Sequence, residues 1–562
     1  MKNWDVLTQP LDAVNALSRE LGVSLPTARV LFNRGLTEAS QARFFLNQSL
    51  KDFPDPFLLK DMRVTIARII QAIESKEKIV IYGDYDVDGT SATSMLMLFF
   101  AEIGYPIFYY IPHRIKEGYS LNLSALEKLK NEGANLIITV DNGIAAVDEV
   151  AAGIQMGMDI IITDHHQIPK KLPPAFAIIN PLQAGCEYPD KHICGTGVAF
   201  NLIMALRQAL RQKNYFEKEP NLKKYLEFVA LATVADVVPL VGINRLFVRY
   251  GLASLQNTEW PGFFALCQVS GLTSGSEITA HHLGFRLGPR INAAGRLYDA
   301  SLGVRLLTTQ KKEEAFQLAD TLNQANDERR VIEEKILDEA LLQAQAQNSD
   351  PVLVLKSNQW HAGVLGIVAS RLVHRFSKPV ILLTEENGLL KGSARSISGI
   401  HLVACLKECE SLLEKFGGHE MAAGLTLKPE NLVSFKEAFG KAVAKNLQPR
   451  GKTLSIDALI GFSEIEDRLL KEMGLLGPFG QGNPEPLFCL NGIKIDSHQI
   501  VGKKHVKFYV SSEQKSIEAI AFGMAERFPI PIPPLNLVFR FRKNTFKGQT
   551  HLVLEVADFQ II

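Results

Sequence analysis

The segment Tyr82-Gly83-Asp84-Tyr85-Asp86-Val87-Asp88-Gly89-Thr90 sets three carboxylates at alternate positions, directly after the apolar run Lys78-Ile79-Val80-Ile81-Tyr82. That run has the length and composition of a buried strand. If the extended conformation continues, alternate side chains face one way and Asp84, Asp86 and Asp88 converge on one point. Like charges gathered in this way repel unless a cation neutralises them. The segment is therefore read as a divalent-metal site rather than as a solvated acidic turn.

The same chemistry returns at the ends of later elements. The apolar run Asn135 to Val140 stops at Asp141-Asn142-Gly143, and the run Asp159 to Thr163 stops at Asp164-His165-His166. A helical stretch, Tyr225 to Ala235, delivers Asp236. Apolar strands separated by helix-length segments predict a parallel α/β sheet, and ligands of such sheets bind beyond the carboxyl ends of the strands. Oxygen ligands with an imidazole suit manganese or magnesium better than zinc. Two such ions bridged by a carboxylate are suited to hydrolysis of a phosphate ester.

The elements that must position these residues follow from composition and texture. The chain has 562 residues, 46% hydrophobic, enough for roughly three or four domains. A net charge of +1 means that any surface for nucleic acid is local. Cys186, His192 and Cys194 brush against a zinc pattern but lack a paired Cys-x-x-Cys partner, so the six cysteines are read as reduced thiols. The start, Met1 to Asp5, has no signal-peptide core, and the run Met95 to Phe100 is too short to span a bilayer. A cytoplasmic enzyme is expected. Residues 1–50 read as a helical region with helix starts near Leu21–Ser24 and Leu36–Ser40, and 51–250 as the α/β catalytic unit. A connecting region, 251–349, carries a long helix over Lys311–Gln347, which holds neither Gly nor Pro. A second α/β unit spans 350–449, with strands at Val352–Leu355 and Val380–Leu383 around a helix at Val364–Phe376. From 450 to 562 the alternation of Val506–Val510, Leu535–Lys543 and Leu552–Val556 predicts a small β-barrel.

With Asp84-Tyr85-Asp86, Asp141-Asn142-Gly143, Asp164-His165-His166 and Asp236 in this order, the chain resembles the DHH phosphoesterase superfamily. Leu287-Gly288-Pro289-Arg290-Ile291-Asn292-Ala293-Ala294-Gly295-Arg296, Phe416-Gly417-Gly418-His419-Glu420-Met421-Ala422-Ala423-Gly424 and Leu476-Gly477-Pro478-Phe479-Gly480-Gln481-Gly482-Asn483-Pro484-Glu485-Pro486 make it resemble the RecJ exonucleases within that superfamily. The resemblance implies a parallel-sheet DHH domain, a DHHA1-type second domain and a C-terminal OB-fold. It also implies two Mn2+ or Mg2+ ions and hydrolysis of single-stranded DNA from its 5′ end, in repair and recombination, with a helicase and a single-strand-binding protein as partners.

Matched residue by residue, the resemblance implies Asp86, Asp88, Asp141, His165 and Asp236 as metal ligands, with Asp141 bridging. Tyr82 stands where many members hold a ligating His; Asp84 is the substitute, directly or through water. The reaction is assigned to Asp88, Asp141 and His166, the last as phosphate contact or acid, and Asn142 is assigned to orienting Asp141. A terminal phosphate calls for forked cationic donors, and Arg114, Arg290, Arg296 and Arg395 are the candidates, with Asn292 and Ser393 beside them. Gly417-Gly418-His419 allows close backbone approach to phosphate or sugar. The basic turns Lys503-Lys504 and Arg540 to Lys547 are candidates for the DNA backbone, while His281-His282 and His361 are read as structural. Two alternatives stay open: a phosphodiesterase of short oligonucleotides or cyclic dinucleotides, and an inactive DNA-binding scaffold.

Overall fold

The computed structural model of the chain describes residues 3–114, 117–118, 120–273, 275, 277–347, 349–446, 453–511, 516–528, 534–546 and 549–562, with the side chains of 496, 543–546 and 549–550 left aside. Lys547 and the side chain of Lys543 thus lie outside the described residues. Two compact units form: Pro56–Asp236 with Ala253–Arg450, and Met1–Asp55 with Val237–Leu252 and Gly451–Ile562.

The first unit holds two sheets. One is wholly parallel, ordered Phe108–Tyr110, Ile79–Tyr82, Leu136–Val140, Asp159–Thr163, Ala177–Ile179. Its three central strands are buried almost throughout, as expected where helices cover both faces. The first strand in sequence lies between the second and the third. The order therefore reverses between Ile79–Tyr82 and Leu136–Val140, which is the switch point where such sheets bind ligands. The second sheet runs Lys415–Gly418, Ala422–Leu427, Leu389–Arg395, Val380–Glu386, Leu353–Lys356, and only its last pair is parallel. Between the two sheets in sequence lies the helix Lys312–Ala346, within a residue of the predicted bounds. It is locked to the helix Leu365–Phe376 by the buried Glu333, which accepts from Arg329 at 3.0 Å and from Arg371 at 2.9 Å.

The other unit is discontinuous in sequence. A seven-stranded sheet, Ala458–Leu459, Phe488–Ile493, Leu535–Phe546, Gln549–Ile561, Ser516–Ala521, His505–Ser511, Ile495–Val501, shares one apolar core with helices near the N-terminus. Those helices are Leu11–Leu21, Leu25–Asn33 and Ala39–Asn47; the last two open after Ser24 and Glu38, within the expected segments, and the first ends where the Leu21–Ser24 segment begins. Gly22 closes the first with a left-handed φ of 65°. The second takes its cap from far away in sequence: the Glu472 carboxylate accepts from the Ser24 N–H at 3.0 Å and from Thr27 Oγ1 at 2.6 Å. Asn3–Val6 pairs in parallel with Thr453–Ile456. Arg245, fully buried, donates to the Phe45 carbonyl at 2.7 Å and to the Leu475 carbonyl at 2.6 Å, tying the middle segment to both ends of the chain. Arg540 and Arg542 face Glu485 and Glu555, so this basic strand carries its own counter-charges.

Candidate active site

The strand Ile79–Tyr82 stops before the acidic segment, and the expected extended run does not continue. Asp86 instead caps the helix Val87–Glu102, accepting from the Asp88 N–H at 2.8 Å and the Gly89 N–H at 3.2 Å, which puts Asp88 in the first helical turn. The cause is local: Asp is a strong helix cap, and an apolar helical run follows at once. The three carboxylates therefore separate into two groups. Ligand atoms of Asp84, Asp86 and Asp141 lie within 4.8 Å of one another, and so do those of Asp88, His165 and Asp236. Asp141, His165 and His166 form a third set that joins them.

Each residue is held by its element. Asp141 follows Leu136–Val140 at the switch point with φ 63°, a left-handed conformation that Asp tolerates better than most residues. Asp236 ends the helix Leu226–Ala235. Asp88 receives the start of the helix Gly195–Gln212: the Gly195 N–H donates at 2.6 Å, and the Thr196 N–H and hydroxyl donate at 2.7 Å. These donors satisfy the start of that helix and fix the Asp88 carboxylate in place. Gly195 is required there, since a Cβ on it would lie 2.7 Å from the Cβ of Asp141. His165 Nε2 faces Asp141 Oδ1 at 3.1 Å and oxygens of Asp88 and Asp236 at 3.7 Å. Asn142 donates to the carbonyls of Tyr82 and Val140, bracing the two strand ends rather than touching the Asp141 carboxylate. Tyr82 is buried against Tyr110, its hydroxyl donating to the Ser120 carbonyl.

Burial, then repulsion from neighbouring carboxylates, drives the Asp84, Asp141 and Asp236 carboxyls well above the usual range, and Asp86 upward. Burial lowers His165. His166 goes the other way. Burial pulls it down, but the 2.7 Å hydrogen bond between its Nδ1 and Asp164, with the field of Asp164, Asp236 and Asp88, leaves it pushed up to about 9. Asp164 itself is held below the carboxylate range: burial would raise it, and His166 with the Ile144 N–H outweighs that.

A cationic group adjoins the carboxylates. The Arg114 guanidinium stacks over Tyr85 at 4.8 Å. Arg296 is half-buried and donates to the Gly363 carbonyl at 2.9 Å. Burial, then the positive charges of Arg114, Arg329 and Arg395, push it down to about 9. Arg395 donates to Ser393 Oγ at 3.1 Å and is lowered by burial and by Arg114. Among the described residues none of Arg114, Arg296 and Arg395 has a carboxylate within ion-pair distance. Ser393 and Arg395 lie on the strand paired with Ala422–Leu427, whose other neighbour ends in Gly417 and Gly418 and is followed by His419 in the connecting turn. The His419 ring sits 6.4 Å from that of His166, so both α/β halves of this unit face one site. Arg290 is not in the group: it donates to Asn323, Arg286 and Val269. Asn292 accepts from the Val87 N–H at 3.1 Å and holds the acidic loop. Sequence reasoning marks Asp164 without giving it a role, and passes over Gly195 with Thr196, Tyr85 and Arg329. Gly195-Thr196-Gly197 at a helix start is a usable signal for one of them; no spacing rule marks the others.

Fold and site together define a DHH-type protein. The family model for the DHH family N-terminal domain matches residues 78–233, that for the DHHA1 domain matches 349–445, and that for the RecJ OB domain matches 456–558. The chain is 38% identical over 530 residues to the single-stranded-DNA-specific exonuclease RecJ of Bacillus subtilis, covering 93% of this chain and 66% of that protein. It is 36% identical to the protein of the same name in Haemophilus influenzae, covering 91% and 92% of the two chains, and 35% identical to that of Escherichia coli, covering 94% and 95%. Among solved structures, RecJ of Thermus thermophilus in complex with Mn2+ matches with a TM-score of 0.85 at 30% identity, covering 99% of this chain and 79% of the other. The chain belongs to the RecJ family.

Proposed function

We propose that this chain is a metal-dependent exonuclease that hydrolyses single-stranded DNA from the 5′ end. The observation that carries the reading is the placement of a carboxylate–imidazole cluster at the sheet switch point beside three arginines, Arg114, Arg296 and Arg395, that have no ion-pair partner among the described residues. The residues fit divalent cations. The buried Asp84 Oδ1 and His165 Nε2 have no hydrogen-bond partner, and the gathered carboxylates repel one another until charge is neutralised. Asp84, Asp86 and Asp141 would hold one Mn2+ or Mg2+, and Asp88, His165 and Asp236 the other, with Asp141 between them. Such ions, when bound, supply electrophilic activation of the phosphate and a hydroxide nucleophile at neutral pH.

The remaining work falls to the chain. Arg114, Arg296 and Arg395, with Ser393, hold the phosphate of the strand end. His166, oriented by its 2.7 Å hydrogen bond to Asp164, faces the reacting phosphate, and His419 closes the site from the second half. Arg290 and Asn292 support this arrangement, Arg290 on the connecting helices and Asn292 through the acidic loop. Gly417 and Gly418 leave room for backbone approach. The five-segment division, 1–50, 51–250, 251–349, 350–449 and 450–562, belongs to the proposal, with the first and last segments packing as one unit. A cytoplasmic site of action and cooperation with a helicase and a single-strand-binding protein are part of the proposal. No helix among the described residues is long and apolar enough to cross a membrane.

The test is digestion of single strands labelled at either end, with Mn2+, Mg2+ or chelator. Early release of the 5′ label as mononucleotide, abolished by chelator, is expected. Early release of the 3′ label, or digestion indifferent to metal, would contradict the reading.

A further inference from the structure

The π-helical turn Leu283–Leu287 leads into the helix Gly288–Leu297, which carries Asn292 and Arg296. Leu283 and Leu287 are fully buried and anchor its inner side. Gly284 and Gly288 bring it close to the end of the helix that supplies Asp236: a Cβ on Gly284 would lie 3.2 Å from Val234 Cγ1, and one on Gly288 3.4 Å from Ala235 Cβ. π-Helical turns are rare and concentrate at functional sites. The outward face of this one is unusual. Phe285 is 71% exposed, and its ring lies 4.6 Å from that of the exposed His281 at an interplanar angle of 25°. Exposed Arg286 follows it, with Arg290 one turn on donating to the Arg286 carbonyl. Two flat rings kept in water beside a cation match the requirements of a nucleobase followed by a phosphate.

We propose that the Phe285–His281 stack is a base-stacking subsite for the single strand, taking one unpaired base by its π-face while Arg286 meets a neighbouring phosphate. The proposal rests on the exonuclease reading and deepens it: the arginine group takes the strand end, and this platform takes a base further along. A π-face is common to all bases, so the subsite is indifferent to sequence.

The test uses the full chain with Mn2+ and a 20-nucleotide thymidine strand, against the same strand with an abasic residue moved stepwise from the 5′ end. Phe285→Ala is expected to raise KM roughly 5- to 150-fold, the range for one lost stacked base, with kcat at saturation kept. Phe285→Trp should restore KM. One abasic position should weaken the wild type by a similar factor and abolish the difference between wild type and Phe285→Ala. Unchanged KM for Phe285→Ala, equal losses on every abasic strand, or loss of a dimer without change in KM would overturn the proposal, the last assigning the rings to a second copy of the chain. A wild-type enzyme that cuts no single strand would instead defeat the exonuclease reading itself. Melting temperature guards against a folding defect, which a 71% exposed ring should not cause.

Discussion

Gly195 shows how narrowly the site is set at the level of one residue. Its missing side chain lets Asp141 approach the helix start that also binds Asp88. Gly195→Ala should shift Asp141 by a fraction of an ångström to an ångström, and kcat should fall on the order of 10²-fold while the protein stays folded; turnover with circular dichroism on the same sample checks this. A second residue gives a pH signature. Glu227 is buried between Ser254 and Thr258, and burial pushes its carboxyl from 4.5 up to about 7. A raised carboxyl binds its proton more tightly when folded, so its contribution is complete below about 4.5 and is lost as pH climbs through about 7. Glu227→Gln should therefore melt near the wild type at pH 5 and above it at pH 8; a gap constant with pH would contradict the assignment. The ligating residue types were legible because each closes an apolar run. Their grouping was not. A spacing of two reads as one face of a strand, whereas Asp86 turns the chain into a helix and sends Asp84 and Asp88 to different groups.

Among the elements, the helix Lys312–Ala346 was the plainest in the sequence, since nothing in it breaks a helix. What it grips was not, because the partner of Glu333 is Arg371, on the helix Leu365–Phe376. Glu333 and Arg329 are about nine-tenths buried and Arg371 half-exposed. Glu333→Ala should leave Arg329 buried without its carboxylate and cost about 3 kcal/mol in urea unfolding. Arg371→Ala should cost under about 1 kcal/mol, as befits a pair open to water. Equal costs would mean that the two arginines share the anchoring. The parallel strands were legible as apolar runs, and so were the helix starts after Ser24 and Glu38; that Leu21 closes a preceding helix was not, because its Gly22 cap stands only two residues before the Ser24 cap of the next.

For the molecule as a whole, local signals are silent about which distant segments share a core. No pattern in Asn3–Val6 points to Thr453–Ile456, and the cap that Glu472 provides for Ser24 is equally invisible. Deleting residues 451–562 therefore should not yield a tidy catalytic core. Val14, Leu17, Val30 and Leu31 would lose Leu469, Leu476 and Phe488, with which they form one cluster. The truncated chain should elute as aggregate in size-exclusion chromatography, and a soluble monomer with normal metal-dependent turnover would refute this.

The pairing of the first strand with Thr453–Ile456 also gives the molecule a history. A ribosome adds roughly 5–20 residues each second, so about 450 residues of synthesis, some 20–90 s, separate the emergence of Asn3–Val6 from that of its partner. During that interval the parallel sheet, complete by Ile179, can close, while the helices at residues 11–47 stay apolar and unfinished. Residues 458–559 complete the core of the helices at residues 11–47, and a nascent chain that stalls before them displays the sticky face of those helices.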